Sequence, residues 1–113
     1  MTLRELGEFG LIRHLSTRLS TRSGVQVSTG DDAALLNALR APLVTCDALV
    51  EDIHFRRDWS SPRQLGRKAL SVNVSDIAAM GGVPVAAFLA LALPPDTDLR
   101  WLEELYSGME EIA

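Results

Sequence analysis

Three carboxylates and one imidazole are crowded into the stretch from Asp47 to His54, directly after an apolar, β-forming lead-in. Pro42 marks an element boundary before the lead-in, so the pattern predicts a strand over residues 43–47 that ends at Asp47. Loops that follow strands commonly carry functional side chains. Because Mg²⁺ prefers hard oxygen ligands, this stretch predicts a divalent cation that is held by carboxylates and bridges to phosphates.

A second acidic point is the pair Asp31-Asp32, which follows Gly30. A tight glycine turn could present a carboxylate oxygen from this pair to the same Mg²⁺ ion as Asp47. Glycine and aspartate are also common turn residues, so from spacing alone the three residues are more typical of a plain turn than of a metal site.

The third acidic point is Asp76, inside a helix predicted over residues 62–80. The step of about 100° between successive helical residues places its carboxylate in the middle of an apolar stripe. The stripe consists of Leu65, Ala69, Val72 and Ala79. A buried charge is costly unless it is compensated, so Asp76 is either a metal ligand or a buried carboxylate that hydroxyls cap or that pairs with Lys68 or Arg67.

Other polar residues near the acidic stretch also have plain interpretations. His54 is more typical of a loop histidine that packs or hydrogen-bonds than of a metal ligand. Cys46 is more typical of a buried packing thiol than of a nucleophile. The sequence has no glycine-rich P-loop and no Gly-x-Gly-x-x-Gly, so phosphate is not expected to be held in either of those ways.

Composition narrows the class of protein. A length of 113 residues, with 47% hydrophobic and 23% charged, predicts one globular domain over residues 1–113. The formal net charge of -4 argues against a nucleic-acid partner and means that a polyanionic substrate needs metal ions as intermediaries. We expect a cytoplasmic protein, because the sequence has a single cysteine and lacks a secretory leader. No membrane partner is expected either, because the apolar run at 83–93 is too short to span a bilayer.

The first elements follow from local signals. Thr2 and Glu5 have the spacing of a capping box, and apolar residues at helical spacing predict a helix over residues 8–19. Alternation predicts a short strand at 25–27.

The later elements have clearer boundaries. Ser61-Pro62 and Gly81-Gly82 delimit the helix over 62–80, and the apolar run at 85–93 predicts a strand buried on both faces. A last helix opens at Thr97 or Asp98, and its apolar stripe contains Leu99, Leu102, Tyr106 and Met109. The chain ends inside this helix without a stop signal, so we expect a truncated part of a longer protein. The apolar run and the helix stripes together predict self-association.

Three motifs are recognisable in combination. They are Gly30-Asp31-Asp32-Ala33-Ala34, the run Thr45-Cys46-Asp47-Ala48-Leu49-Val50-Glu51 with His54-Phe55, and Asn73-Val74-Ser75-Asp76-Ile77-Ala78-Ala79-Met80-Gly81. Together they closely resemble the N-terminal part of the thiamine-monophosphate kinases, and the likeness extends from Glu5 to Tyr106. The Gly-Asp-Asp and Ser-Asp pieces alone are typical of the wider superfamily of ATP-binding synthetases that includes aminoimidazole ribotide synthetase and selenophosphate synthetase.

The resemblance implies an α+β fold of the aminoimidazole ribotide synthetase-like N-terminal type, in which helices pack on a mixed sheet and two copies build a barrel at a dimer interface. Residues 1–113 would be the ATP-binding, Mg-binding and dimerisation domain, with a second domain absent from this sequence. The implied reaction is ATP-dependent phosphorylation of thiamine monophosphate to thiamine diphosphate by direct in-line transfer, with Mg²⁺ as the cofactor. The fragment alone is expected to be inactive.

The resemblance also implies site residues, because each matches a position in the family's motifs. The metal ligands would be Asp32, Thr45, Cys46, Asp47 and Asp76. His54 matches a position that contacts the thiamine phosphate, and Tyr106 matches a position near the nucleotide. No side chain is implied as a covalent catalyst.

Three departures from the family's pattern bear on the site. Cys46 stands where the family usually has a hydroxyl residue, so its metal contact would use the backbone carbonyl. Ser28-Thr29 replaces Gly-Ile before Gly30, and Asp52 replaces the usual glycine after Glu51. Two other functions stay open, namely a sibling enzyme of the same superfamily with another acceptor and a non-catalytic dimerisation module.

Overall fold

The computed structural model describes residues 1–18, 24–29 and 32–113, and this part of the chain contains three helices and one two-stranded antiparallel sheet. The elements are α1 (Leu3–Ser16), β1 (Val25–Val27), β2 (Leu35–Leu36), α2 (Pro62–Ala79) and α3 (Leu99–Ile112). The fold class is therefore α+β, as predicted. Within the described residues, no helix is both long and apolar enough to cross a membrane.

The chain divides into two compact units. The first joins Met1–Pro42 to Val85–Leu99, and the second joins Leu43–Pro84 to Arg100–Ala113. The expected single domain over residues 1–113 stays a prediction.

In the first unit, α1 begins with the predicted capping box. The Thr2 N–H donates to Glu5 Oε2 at 2.7 Å, and the Glu5 N–H donates to Thr2 Oγ1 at 3.4 Å. The hydrogen bond from the Thr2 backbone lowers the pKa of the Glu5 carboxyl below its ordinary value. Gly7 has a non-helical φ of 70° inside the helix, yet α1 starts at Leu3 and not at residue 8 as predicted, because the capping box satisfies its first N–H groups.

The segment before α3 supplies hydrogen-bond acceptors for the first N–H groups of α1. The Leu3 N–H donates to the Thr97 carbonyl at 3.0 Å, and the Arg4 N–H donates to the Pro95 carbonyl at 2.8 Å. Two N–H groups that have no partner within the helix are therefore paired with this segment. The helix ends at Ser16, with Thr17 as its C-cap, which is earlier than predicted; residue 19, the predicted end, lies outside the described residues.

The sheet of the first unit is short. Val25 pairs with Leu36 and Val27 pairs with Leu35, with an irregularity in register between the two pairs. The predicted strand at 25–27 is confirmed, while β2 was not predicted because its two residues are too few to show alternation.

In the second unit, α2 lies between strong local signals. The Ser61 side chain and the Gln64 backbone and side chain form a capping box, and Pro62 occupies the first turn. At the other end the Gly81 N–H donates to the Ala78 carbonyl at 2.9 Å and the Gly82 N–H donates to the Ile77 carbonyl at 2.9 Å. With φ of 72° at Gly81, these bonds form a Schellman motif. The prediction of 62–80 is thus confirmed to within one residue.

Helices α2 and α3 pack closely because each has a glycine at the contact. A Cβ built on Gly66 would overlap the Leu105 carbonyl, and one built on Gly108 would overlap the Arg63 carbonyl. Leu65 and Leu102 are buried beside these glycines, and Leu102 has no exposed surface at all. At the rim, Arg63 pairs with Glu104 and Glu111, and Arg67 pairs with Glu111, each with N···O distances of 3.0 Å.

Two predicted strands are not observed. No strand forms at 43–47 or at 85–93 within the described residues, and the second run is exposed and not buried, with Phe88 at 75% exposure. Apolar β-forming residues become a strand only where another strand pairs with their N–H and C=O groups. No described segment pairs with either run, so both predictions are wrong for the structure as it stands.

Candidate functional site

The polar site of the second unit is built where the chain after Pro42 passes the end of α2. A Cβ on Gly82 would lie 2.7 Å from Leu43 Cδ1, so the glycine allows this close approach. Two residues later, Thr45 Oγ1 donates a hydrogen bond to Asp76 Oδ2 at 3.3 Å. The packing at Gly82 therefore positions Thr45 against the last turns of α2.

Asp76 is exposed, so the predicted burial of its carboxylate is wrong. The apolar stripe is buried at the N-terminal end of α2, where Leu65 is 4% exposed. Burial decreases toward the C-terminal end, where Ala79 is exposed. The predicted partners are also engaged elsewhere, because Arg67 pairs with Glu111 and Lys68 donates to the His54 carbonyl. The observed partner of Asp76 is the Thr45 hydroxyl.

The Thr45 and Asp76 oxygens suit a hard cation. In an octahedral shell with Mg–O distances of about 2.0–2.1 Å, neighbouring ligand oxygens are about 3 Å apart. The observed separation of 3.3 Å is close to that spacing. Both groups are oxygen donors that Mg²⁺ prefers, so this pair fits the implied metal.

The full set of implied ligands is not assembled within one unit. Asp47 is exposed and follows Thr45 by two residues, whereas Asp32 is exposed and belongs to the first unit. Gly30 and Asp31 lie outside the described residues. Across residues 1–18, 24–29 and 32–113, no group of three or more His, Cys, Asp or Glu side chains is arranged to hold a metal ion. The convergence of Asp32, Asp47 and Asp76 stays a prediction.

Cys46 is a free, exposed thiol. The interpretation as a buried packing residue is therefore wrong, because the strand that would have buried it does not form. A thiol is a soft ligand and suits Mg²⁺ poorly, so a metal contact at this position would fall to the backbone carbonyl, as the departure from the family suggests.

His54 closes the loop that follows the acidic stretch. Its Nδ1 accepts the Val50 N–H at 3.0 Å, and its own N–H donates to the Val50 carbonyl at 2.8 Å. Lys68 Nζ donates to the His54 carbonyl at 2.9 Å and so joins the loop to α2. The interpretation of His54 as a hydrogen-bonded loop residue is confirmed, and its imidazole remains exposed.

Arg57 contacts both the loop and helix α3. Arg57 Nε lies 3.0 Å from Glu51 Oε1, and its guanidinium lies 4.6 Å from the centroid of the Trp101 ring on α3. Arg57 Nε makes no directed hydrogen bond among the described residues, so the contact with Glu51 is an ion pair. The cation–π contact joins the loop to α3.

Tyr106 lies on α3 and is half-buried. Burial raises the pKa of its phenol above the ordinary value of about 10, so the side chain is a neutral hydroxyl at physiological pH. A neutral hydroxyl can both donate and accept a hydrogen bond, which is compatible with the implied position near a nucleotide.

The predicted pairing of Lys68 with Asp76 is wrong, because Lys68 donates to the His54 carbonyl. The contact between Arg57 and Trp101 was not predicted from the sequence. Lys68 lies six residues after the start of α2, and its partner is a backbone carbonyl, which no side-chain pattern in the sequence reveals. Arg57 and Trp101 are distant in sequence, so only the packing of the loop against α3 brings them together.

The sequence is similar to one protein family and to several curated proteins. The family described as "AIR synthase related protein, N-terminal domain" matches residues 30–113. "Thiamine-monophosphate kinase" of Bacillus subtilis (strain 168) is 44% identical over 110 residues, which are 96% of this chain and 34% of that protein. The protein of the same name from Mycobacterium tuberculosis (strain ATCC 25618 / H37Rv) is 41% identical over 113 residues, covering 99% and 34%.

A similar protein named "Thiamine-monophosphate kinase" from Escherichia coli (strain K12) is 42% identical over 109 residues, or 94% of this chain and 33% of that protein. The chain thus spans about a third of the length of the curated relatives that it matches. No solved structure matches the chain with significance.

Proposed function

Because the chain belongs to the family of AIR synthase related proteins, whose N-terminal domain it matches, we propose that it is part of an ATP-dependent kinase. The kinase transfers the terminal phosphoryl group of ATP to thiamine monophosphate and yields thiamine diphosphate and ADP. The observation that carries this proposal is the identity of 44% and 41% to thiamine-monophosphate kinases over nearly the whole chain. The reaction and its substrates are proposed for the whole protein, since those relatives are about three times as long.

In this proposal the Mg²⁺ ligands are Asp32, Thr45, Cys46, Asp47 and Asp76, with Cys46 contributing its backbone carbonyl. When bound, Mg²⁺ neutralises charge on the phosphates and polarises the transferred group. The distance of 3.3 Å between Thr45 Oγ1 and Asp76 Oδ2 supports two of these assignments, because it is close to the spacing of neighbouring ligands of one ion.

The protein's own contribution is mainly positioning, as phosphoryl transfer requires little covalent chemistry from side chains. A phosphate oxygen of thiamine monophosphate attacks the γ-phosphorus in line, the bond to the β–γ bridging oxygen breaks, and ADP leaves. His54 contacts the acceptor phosphate, and Tyr106 lies near the nucleotide. No phosphoenzyme forms.

The proposal includes a homodimer in the cytoplasm, in which the apolar run at 85–93 pairs with a second copy to extend a barrel. Its support is the exposure of Phe88 and its apolar neighbours, since contiguous exposed apolar surface usually marks an interface. The loop at residues 51–55 favours thiamine monophosphate as the acceptor over the acceptor of a sibling enzyme. A chain that only dimerises would share this surface but would not need the Thr45 and Asp76 oxygens as metal ligands.

Asp47→Asn in the full-length protein tests the metal part of the proposal. The change keeps the shape of the side chain but removes a negative charge, so turnover should fall while the melting temperature is retained. We expect kcat and kcat/KM to fall together, because the charge is needed chiefly in the transition state, and added Mg²⁺ should restore part of the loss. A lowered melting temperature without rescue by Mg²⁺ would instead assign Asp47 a structural role, and near-normal turnover would remove it from the mechanism.

A further inference from the structure

We propose that Lys68 is a positioning residue for the loop at residues 50–55, and that this loop holds His54 in the tautomer whose Nε2–H donates to an anionic oxygen of the acceptor. The identity of that acceptor rests on the proposed function. The tautomer and the role of Lys68 follow from hydrogen bonds within the second unit.

The imidazole of His54 is an integral part of its own loop. It accepts the Val50 N–H through Nδ1 at 3.0 Å, while the His54 N–H donates to the Val50 carbonyl at 2.8 Å. The Asp52 N–H donates to the Phe55 carbonyl at 2.7 Å and closes the loop from the other side. Rotation of the ring would break its bond to Val50, so the ring has one preferred orientation.

This hydrogen bond determines where the proton lies. A neutral imidazole has one donor and one acceptor nitrogen, and both nitrogens become donors in the cation. Since Nδ1 of His54 accepts a backbone N–H, this bond selects the tautomer that carries its proton on Nε2. An Nε2–H group can donate to a phosphate oxygen, but it has no lone pair to offer to a metal ion. The geometry therefore suits His54 to the acceptor's phosphate and not to Mg²⁺.

Lys68 fixes the loop to a rigid element. Its Nζ donates to the His54 carbonyl at 2.9 Å across 14 positions of sequence. The same helix carries Asp76 eight residues later, about 12 Å further along the axis at 1.5 Å per residue. The bond from Lys68 therefore joins the His54 loop to the same helix that carries Asp76.

Arg67 offers a matched control. It is the preceding residue on α2, it carries the same charge, and it pairs with Glu111 on α3 and not with the loop. Removing either cation changes the net charge equally. Only the loss of Lys68 should disturb the loop.

The first measurement is spectroscopic and uses full-length protein with ¹⁵N-labelled histidine, with His54→Gln to assign the signal. We expect the His54 ring to show a protonated Nε2 and an unprotonated Nδ1 in wild type, Lys68→Arg and Arg67→Met. In Lys68→Met we expect averaging between tautomers, because the loop is no longer joined to α2. A wild-type ring that carries its proton on Nδ1, or that averages between tautomers, would overturn the proposal.

The second measurement is steady-state kinetics of the same variants. Lys68→Met should raise KM for thiamine monophosphate about tenfold, the effect expected from losing one hydrogen bond to a charged group, with KM for ATP unchanged. Lys68→Arg should restore most of the acceptor affinity, and Arg67→Met should retain the wild-type KM. Equal effects of Lys68→Met and Arg67→Met would overturn the role of Lys68. A wild-type protein that does not phosphorylate thiamine monophosphate would contradict the proposed function instead, while the histidine spectra would still decide the tautomer and the role of Lys68.

Discussion

Asp52 has a backbone φ of 65°, a conformation that glycine adopts without strain and that other residues adopt at a cost. The resemblance to thiamine-monophosphate kinases marks this position as one where glycine is usual. The structure supplies the physical reason, because the turn between Glu51 and Phe55 requires the left-handed region. The sequence could indicate the departure but not the φ angle behind it.

Replacing Asp52 by glycine should therefore stabilise the protein. We expect Asp52→Gly to raise the free energy of unfolding by about 0.5–1 kcal/mol, since relief of left-handed strain exceeds the loss of a long, exposed contact of 3.8 Å with Arg56. Asp58→Gly is the control, because Asp58 also pairs with Arg56 but does not have a positive φ. It should destabilise. Chemical denaturation measures both, and equal effects would contradict the account of the turn.

The hydroxyl of Thr45 is a proposed Mg²⁺ ligand whose contribution can be tested by substitution. Thr45→Val keeps the shape of the side chain but removes the oxygen that lies 3.3 Å from Asp76. We expect the Mg²⁺ concentration for half-maximal turnover to rise by at least about tenfold, as even residues outside the first coordination shell commonly change metal affinity by that factor. Thr45→Ser should remain close to wild type. An unchanged Mg²⁺ dependence in Thr45→Val would show that the hydroxyl only caps Asp76.

Helix α2 was predictable because its boundaries are local. The N-cap at Ser61, with Pro62 after it, and the glycine at Gly81 act within a few residues of sequence, and both form as expected. The strands predicted at 43–47 and 85–93 failed for the opposite reason, since a strand depends on a partner elsewhere in the chain or in another chain. The glycines inside α2 and α3, Gly66 and Gly108, were not singled out from the sequence, because their role in close helix packing depends on a contact between distant segments.

The close approach of α2 and α3 predicts the effect of adding a methyl group at the contact. Gly66→Ala and Gly108→Ala should each lower the free energy of unfolding by about 1–3 kcal/mol, because the new Cβ would overlap a backbone carbonyl that cannot rotate away. Gly10→Ala in α1 is the control. Its Cβ would meet only the Leu6 side chain, so the helix propensity of alanine should offset the contact. If Gly66→Ala is as harmless as Gly10→Ala, the helices do not pack as described.

For the whole molecule, the exposed apolar residues are the feature that most affects behaviour in solution. Phe88 is 75% exposed, and Val83 beside the same run is 81% exposed. Phe88→Asp should weaken self-association of the full-length protein by at least about tenfold, because a charge replaces apolar surface at the proposed interface. Phe9→Asp is the control, since Phe9 on α1 is equally exposed at 80%. Sedimentation velocity over a range of concentrations measures the difference, and an unchanged dimer in Phe88→Asp would contradict the proposed barrel.

Identification of the reaction product tests directly whether the whole protein phosphorylates thiamine monophosphate. Full-length protein is incubated with ATP labelled in its γ-phosphoryl group, Mg²⁺ and thiamine monophosphate, and the thiamine products are separated and counted. We expect one labelled thiamine diphosphate per ADP, and no turnover when Mg²⁺ is chelated. ADP formation without labelled thiamine diphosphate would indicate another acceptor, and the absence of any ATP turnover would contradict the assignment as a kinase.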